Sequence, residues 1–98
     1  MLESKFQSHL IKRLKEEFDG CIVLKNDATY LQGIPDLLIL YGNKWAALEV
    51  KRSAAASVQP NQSYYIDRMN AMAYAAFVSP ETEEMIFHEL QQALKSDW

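Results

Sequence analysis

Gly33 to Ser53, GIPDLLILYGNKWAALEVKRS, is the stretch whose reading decides the fold. Two apolar runs, 37–41 and 45–50, flank Gly42 and Asn43, a pair suited to a tight turn between antiparallel strands. With those two as the loop residues, Tyr41 pairs with Lys44 and the ladder carries on until Asp36 stands opposite Glu49. Directly opposed residues share a sheet face, with Cβ atoms about 4.5–5.5 Å apart. Glu49 and Lys51, two residues apart, also point to one side of their strand. Pro35 falls opposite Val50 and has no N–H to donate, so the ladder is expected to end there and the strands to splay.

Two carboxylates and one ammonium therefore converge at a strand end. Like charges set face to face are destabilising and call for a compensating cation. Hard divalent cations prefer oxygen ligands, and Mg²⁺ commonly takes one or two carboxylates, keeps several waters and reaches a substrate phosphate. Such a site suits phosphodiester hydrolysis: the metal lowers the pKa of bound water and offsets phosphoryl charge. Lys51 would orient that water or stabilise the transition state. Glu-x-Lys alone reads more simply as a weak surface ion pair; it is Pro-Asp on the partnered strand that favours the metal site.

These residues resemble the PD-(D/E)xK nuclease superfamily, and the small size with GIPDLL, LEVKRS and a following Gln62 is most similar to its VRR-Nuc branch. The resemblance implies a restriction-endonuclease-like α/β core, a central mixed β-sheet flanked by α-helices, as one domain over residues 1–98. It implies that Asp36, Glu49 and the Val50 carbonyl bind Mg²⁺ or Mn²⁺ and that Lys51 assists the attacking water. An acidic residue on the first helix and a glutamine on the helix after the motif match Glu3 and Gln62. The chain departs from the usual pattern at 54–58, where a basic or glycine-containing stretch is commoner.

Composition sets the outer limits. The 98 residues, 49% hydrophobic and 23% charged, suit one ordered globular domain with a single core. One cysteine excludes an internal disulfide framework, and Cys21 reads as a core thiol. No stretch is long enough to span a bilayer and the N-terminus is amphipathic, so the expected location is cytoplasmic and no membrane partner is expected. A net charge of −3 argues weakly against nucleic-acid binding. Local clusters matter more: Lys5, Lys12, Arg13 and Lys15 on the first helix, and Lys44, Lys51 and Arg52, expected near the site. From these, Lys5, Lys12, Lys44 and Arg52 are the candidate DNA contacts, although a solvated helix face is the ordinary meaning of the first cluster.

Leu2, Phe6, Leu10, Leu14 and Phe18 recur every four residues and predict a first helix ending before Gly20. Glu3 shares its arc with Leu10 and Leu14, which suits either a metal-site role or an exposed helix end. A strand is expected over 21–25, then a loop over 26–32 in which Tyr30 and Gln32 could line the site mouth. Residues 52–59 read as a mobile loop. Pro60 opens the next helix with Gln62 in its first turn; its large residues Tyr64, Tyr65, Ile66, Met69, Met72 and Tyr74 spread beyond one stripe, which suits a helix that packs on the sheet and on a second subunit. A strand over 76–78 follows, and Ser79-Pro80 is expected to cap a last helix burying Ile86, Phe87, Leu90 and Leu94.

His9 and His88 have no companion at zinc spacing, no glycine loop suits a phosphate, and no Ser or Cys lies in a nucleophile motif. The expectation is a Mg²⁺- or Mn²⁺-dependent endodeoxyribonuclease acting as a homodimer on DNA, with four-way (Holliday) junctions suggested by the resemblance. The alternatives are a flap or nicking endonuclease using the same site, a non-catalytic nucleic-acid-binding or protein-interaction module, and a structural subunit that docks a partner through its Met- and Tyr-rich helix.

Overall fold

A computed structural model describes residues 2–96. The order of elements is α1 (Glu3–Glu17), β1 (Ile22–Lys25), β2 (Leu37–Tyr41), β3 (Lys44–Val50), α2 (Pro60–Met72), β4 (Tyr74–Val78) and α3 (Glu83–Lys95). The strands form one sheet in the order β1-β2-β3-β4, antiparallel except for the parallel pair β3 and β4. This is an α/β domain whose mixed four-stranded sheet carries helices on both faces.

The hairpin has the expected register, Tyr41 opposite Lys44 and Leu37 opposite Leu48. Gly42 has φ +61° and Asn43 has none of that character, which is a type II′ turn with glycine at its first position. Alternation along the strands then sorts the core. Leu37, Ile39, Ala46, Leu48 and Val50 meet Phe6, Leu10 and Leu14 of α1 and Ile86, Phe87, Leu90 and Leu94 of α3. On the other face Ala47 and Ala75 pack with Ile66, and Trp45 and Met69 border them. Asp36, Glu49 and Lys51 fall by the same alternation on the α2 face.

The first helix keeps its four-residue stripe, with Phe18 also buried and Leu2 exposed. Cys21 sits half-buried with its Sγ 3.7 Å from the Leu14 carbonyl, and burial pushes its thiol pKa up.

Four boundaries differ from expectation. β1 begins at Ile22, because the Cys21 N–H closes the turn after α1 by bonding to the Phe18 carbonyl. Tyr74 belongs to β4, which begins two residues earlier than expected: Ala73 ends α2 with its N–H on the Met69 carbonyl, and the Asn70 side chain then takes the Ala75 N–H. The last helix starts after Thr82, not at Ser79-Pro80. There Ser79 N–H donates to Thr82 Oγ1 at 3.0 Å, a local turn that uses up both side chains and leaves Thr82 as an N-cap without a side-chain bond. Residues 52–59 are a loop tied at several points: Ala56 N–H bonds to the Ser53 carbonyl, and Ala54 N–H to Glu81 Oε1.

Of the basic cluster of α1, Arg13 is engaged within the fold, while Lys5, Lys12 and Lys15 are exposed. Arg13 bonds Glu17, Glu83 and Glu84 and lies 4.1 Å over the Phe87 ring, so it clamps α1 to α3. His9 contacts Glu83 at 2.7 Å.

Gly33 joins the loop before β2 to the start of α2. Its φ is +90°, and a Cβ there would lie 2.4 Å from Asn61 Cβ. Both the left-handed backbone and the contact exclude a side chain. Gly33→Ala is therefore expected to cost about 2–3 kcal/mol, read as a lowered urea midpoint with an unchanged slope.

Candidate active site

Asp36 precedes β2, and its Oδ2 accepts the Val50 N–H at 2.8 Å. This bond explains why the ladder needs no backbone acceptor at that point: the aspartate side chain replaces it. By strand alternation the Val50 carbonyl points to the same side, and Pro35 opposite has no N–H to offer it. Lys51 continues on the other side, its N–H bonding to the Val78 carbonyl at 2.8 Å.

Glu49 lies on the central strand and is 4% exposed. Continuing the hairpin register places it opposite Asp36, which is half-buried. Burial, followed by the Asp36 charge, pushes the Glu49 pKa up to about 8. Asp36 is also raised by burial, with the Val50 N–H working against the shift.

Gln62 connects this pair to the lysine. Its Nε2 donates to Glu49 Oε2 at 2.9 Å, while its Oε1 accepts from Lys51 Nζ at 2.7 Å and from the Gln59 N–H at 3.0 Å. The last bond is half of a capping box, Gln59 and Gln62 satisfying each other's backbone at the start of α2. The amide orientation follows, with two donors on the oxygen side and a carboxyl on the nitrogen side. Lys51 Nζ also donates to the Ser57 carbonyl at 3.0 Å and lies 4.0 Å from Glu49 Oε2. Its ammonium is thus held by a helix, a loop and a strand. Beside it lies a cavity of about 230 Å³ lined in part by Ala54, Val58, Phe77, Ser79 and Thr82.

Glu3 and Lys44 stand apart from this group. Glu3 is exposed at the start of α1 and makes no hydrogen bond to the pair; its charge adds only the smallest of five influences on Glu49. Lys44 was expected near the site but stands at the hairpin turn, seven residues from Lys51 and so roughly 23 Å away along the strand. It donates to the Ser96 carbonyl instead. Lys5, Lys12 and Arg52 are exposed. Tyr30 and Gln32 are exposed on the loop before Gly33.

Sequence reasoning missed the Gln59 cap, the Ser57 carbonyl under Lys51, and the Val50 N–H on Asp36. The spacing Gln59-Pro-Asn-Gln62 carried a capping-box signal; the other two bonds carried none.

Among the described residues, no three His, Cys, Asp or Glu side chains are grouped to hold a metal. The donors at this site are two carboxyls and a main-chain carbonyl. Such an all-oxygen set fits Mg²⁺ or Mn²⁺ completed by water and substrate, and does not fit a thiolate- or imidazole-bound metal. No helix among the described residues is long and apolar enough to cross a membrane. No protein-family model, curated protein or solved structure matches the chain.

Proposed function

We propose that this chain is a Mg²⁺- or Mn²⁺-dependent endodeoxyribonuclease of the PD-(D/E)xK type, similar to the VRR-Nuc branch, that cuts branched DNA as a homodimer. One observation carries the reading: the Gln62 amide joins Glu49 to Lys51 while the Val50 N–H holds the Asp36 carboxylate to the neighbouring strand. A surface ion pair does not require three elements to fix one ammonium beside a buried carboxyl. Support also comes from the order α1, β1, β2, β3, α2, β4, with the aspartate and the Glu-x-Lys on neighbouring strands and the glutamine on the next helix.

Asp36, Glu49 and the Val50 carbonyl would hold the cation. When bound, it supplies Lewis acidity toward water and phosphate. Lys51 places a positive charge beside the scissile phosphate, where charge builds up in the transition state. Gln62 fixes the Lys51 ammonium and the Glu49 carboxylate relative to each other. Glu3, exposed at the start of α1, is not needed for this set.

A labelled four-way junction, a flap, a duplex and a single strand, each with Mg²⁺, Mn²⁺ or EDTA, test the reading on a gel. Cleavage that requires the cation and prefers the junction is the expected result. Cleavage of the flap alone would replace junction resolution by flap removal with the same site. No cleavage of any substrate with either cation would overturn the enzyme.

A further inference from the structure

Tyr41 and Lys44 flank a two-residue loop, so they exchange backbone hydrogen bonds, and such pairs recur at every second position of an antiparallel ladder. Ile39 pairs in this way with Ala46 and Leu37 with Leu48, and the same register carries on to Pro35 and Val50. A regular ladder would put two bonds there. The first cannot form, because Pro35 has no N–H for the Val50 carbonyl. The second is replaced: the Val50 N–H donates to Asp36 Oδ2 at 2.8 Å instead of to the Pro35 carbonyl.

That exchange leaves the Pro35 carbonyl over. Pro35 is fully buried, and a buried carbonyl without a partner is strongly disfavoured. Its partner comes from the opposite strand, where Asn26 Nδ2 donates to it at 2.7 Å. Asn26, half-buried at the end of β1, also donates its own N–H to the Asp36 carbonyl at 2.9 Å. One residue thus holds the main chain of both Pro35 and Asp36.

The loop over 27–34 brings Asn26 and Pro35 together at its two ends. Asp27 Oδ1 accepts the Thr29 N–H at 2.8 Å, the Asp27 carbonyl takes the Tyr30 N–H at 3.1 Å, and the Leu31 carbonyl takes the Ile34 N–H at 3.2 Å. These turns return the chain to β2 with the Pro35 carbonyl within reach of a short amide side chain.

We infer that Asn26 is a positioning residue for Asp36: by taking the Pro35 carbonyl out of the ladder, it leaves the Val50 N–H to the Asp36 carboxylate. Without that amide the Val50 N–H returns to the Pro35 carbonyl, the ladder closes by one more bond, and Asp36 loses the contact that aims it. The consequence for a cation rests on the nuclease reading, whereas the exchange of hydrogen-bond partners does not. Groups that orient a metal ligand in this way typically contribute about 10–100-fold to metal affinity.

Scalar couplings across hydrogen bonds test the exchange in the metal-free chain, because the coupling from the Val50 amide nitrogen identifies the acceptor carbon. The parent is expected to couple to Asp36 Cγ, and Asn26→Ala to the carbonyl carbon of Pro35. Asn26→Leu, close to asparagine in size but without a donor, should behave as Asn26→Ala does, which separates the lost donor from lost volume. Calorimetric titration with Mn²⁺ is expected to show binding about 10–100-fold weaker in both variants than in the parent, with urea unfolding recorded alongside. A parent that couples to Pro35, or variants that keep the coupling to Asp36, would overturn the inference. So would variants that bind Mn²⁺ as the parent does while unfolding at lower urea, since Asn26 would then be merely structural. A parent that binds no Mn²⁺ would sink the nuclease reading instead, and the couplings would still decide the role of Asn26.

Discussion

If the chain is the nuclease proposed, Lys51→Ala is expected to lower its cleavage rate by about 10²–10³-fold, the loss seen when one group stabilising transition-state charge is removed. The ammonium is 4.0 Å from Glu49 Oε2 and is held at 2.7 Å by Gln62 and at 3.0 Å by the Ser57 carbonyl. Alanine removes the charge and both bonds, but it leaves Asp36, Glu49 and the Val50 carbonyl in place. Divalent binding should therefore persist while turnover disappears, as shown by single-turnover kinetics alongside a metal titration. Lys51→Arg separates charge from placement: its planar fork keeps the charge but does not reproduce a point ammonium bound by an amide oxygen and a carbonyl. Parent-level cleavage by Lys51→Ala would remove Lys51 from the mechanism.

Glu49→Gln has the second large effect, on stability as a function of pH. In the folded chain burial, and then the Asp36 charge, raise the Glu49 pKa from 4.5 to about 8. Between those values the folded state binds a proton that the unfolded state has released. The slope of unfolding free energy with pH is then negative. The contribution is fully present below about pH 4.5, where both states hold the proton, and it fades as pH rises through the folded value. One proton corresponds to a loss of at most about 1.4 kcal/mol per pH unit. Urea unfolding of the metal-free parent at pH 5, 6, 7 and 8 should show this decline, and Glu49→Gln, which carries no titrating proton, should flatten it. Saturating Mn²⁺ should stabilise the parent more at pH 8 than at pH 5, because the cation takes the place of the proton. An equal pH slope in parent and variant would show that Glu49 titrates like an ordinary surface carboxyl.

The hairpin was legible because a two-residue turn fixes the register of everything beyond it, so Gly42 and Asn43 alone put Asp36 beside Glu49. Pro60 made the helix start legible, but Gln62 in its first turn was singled out only by the resemblance, since a glutamine there is ordinarily solvated. Lys44 was misplaced for an equally physical reason. Nearness in sequence was taken for nearness in space, whereas a strand carries its two ends apart by roughly 3.4 Å per residue. The Arg13 clamp could not be read at all, since its partners Glu83 and Glu84 lie 70 and 71 residues away and meet it only after α1 and α3 have packed on the sheet. The early end of α2 and the late start of α3 turned on local side-chain bonds, Asn70 to Ala75 and Ser79 to Thr82, that compete with helix continuation.

Cleavage of the proposed kind requires Asp36 and Glu49 to accept a divalent cation beside Lys51. Calorimetric titration of Mn²⁺ into the parent and into Asp36→Asn at pH 8 tests this directly, with circular dichroism confirming that both are folded. Saturable binding by the parent that is lost in Asp36→Asn is the predicted result. A parent that takes up no Mn²⁺, or a variant that binds it as tightly as the parent, would contradict the account.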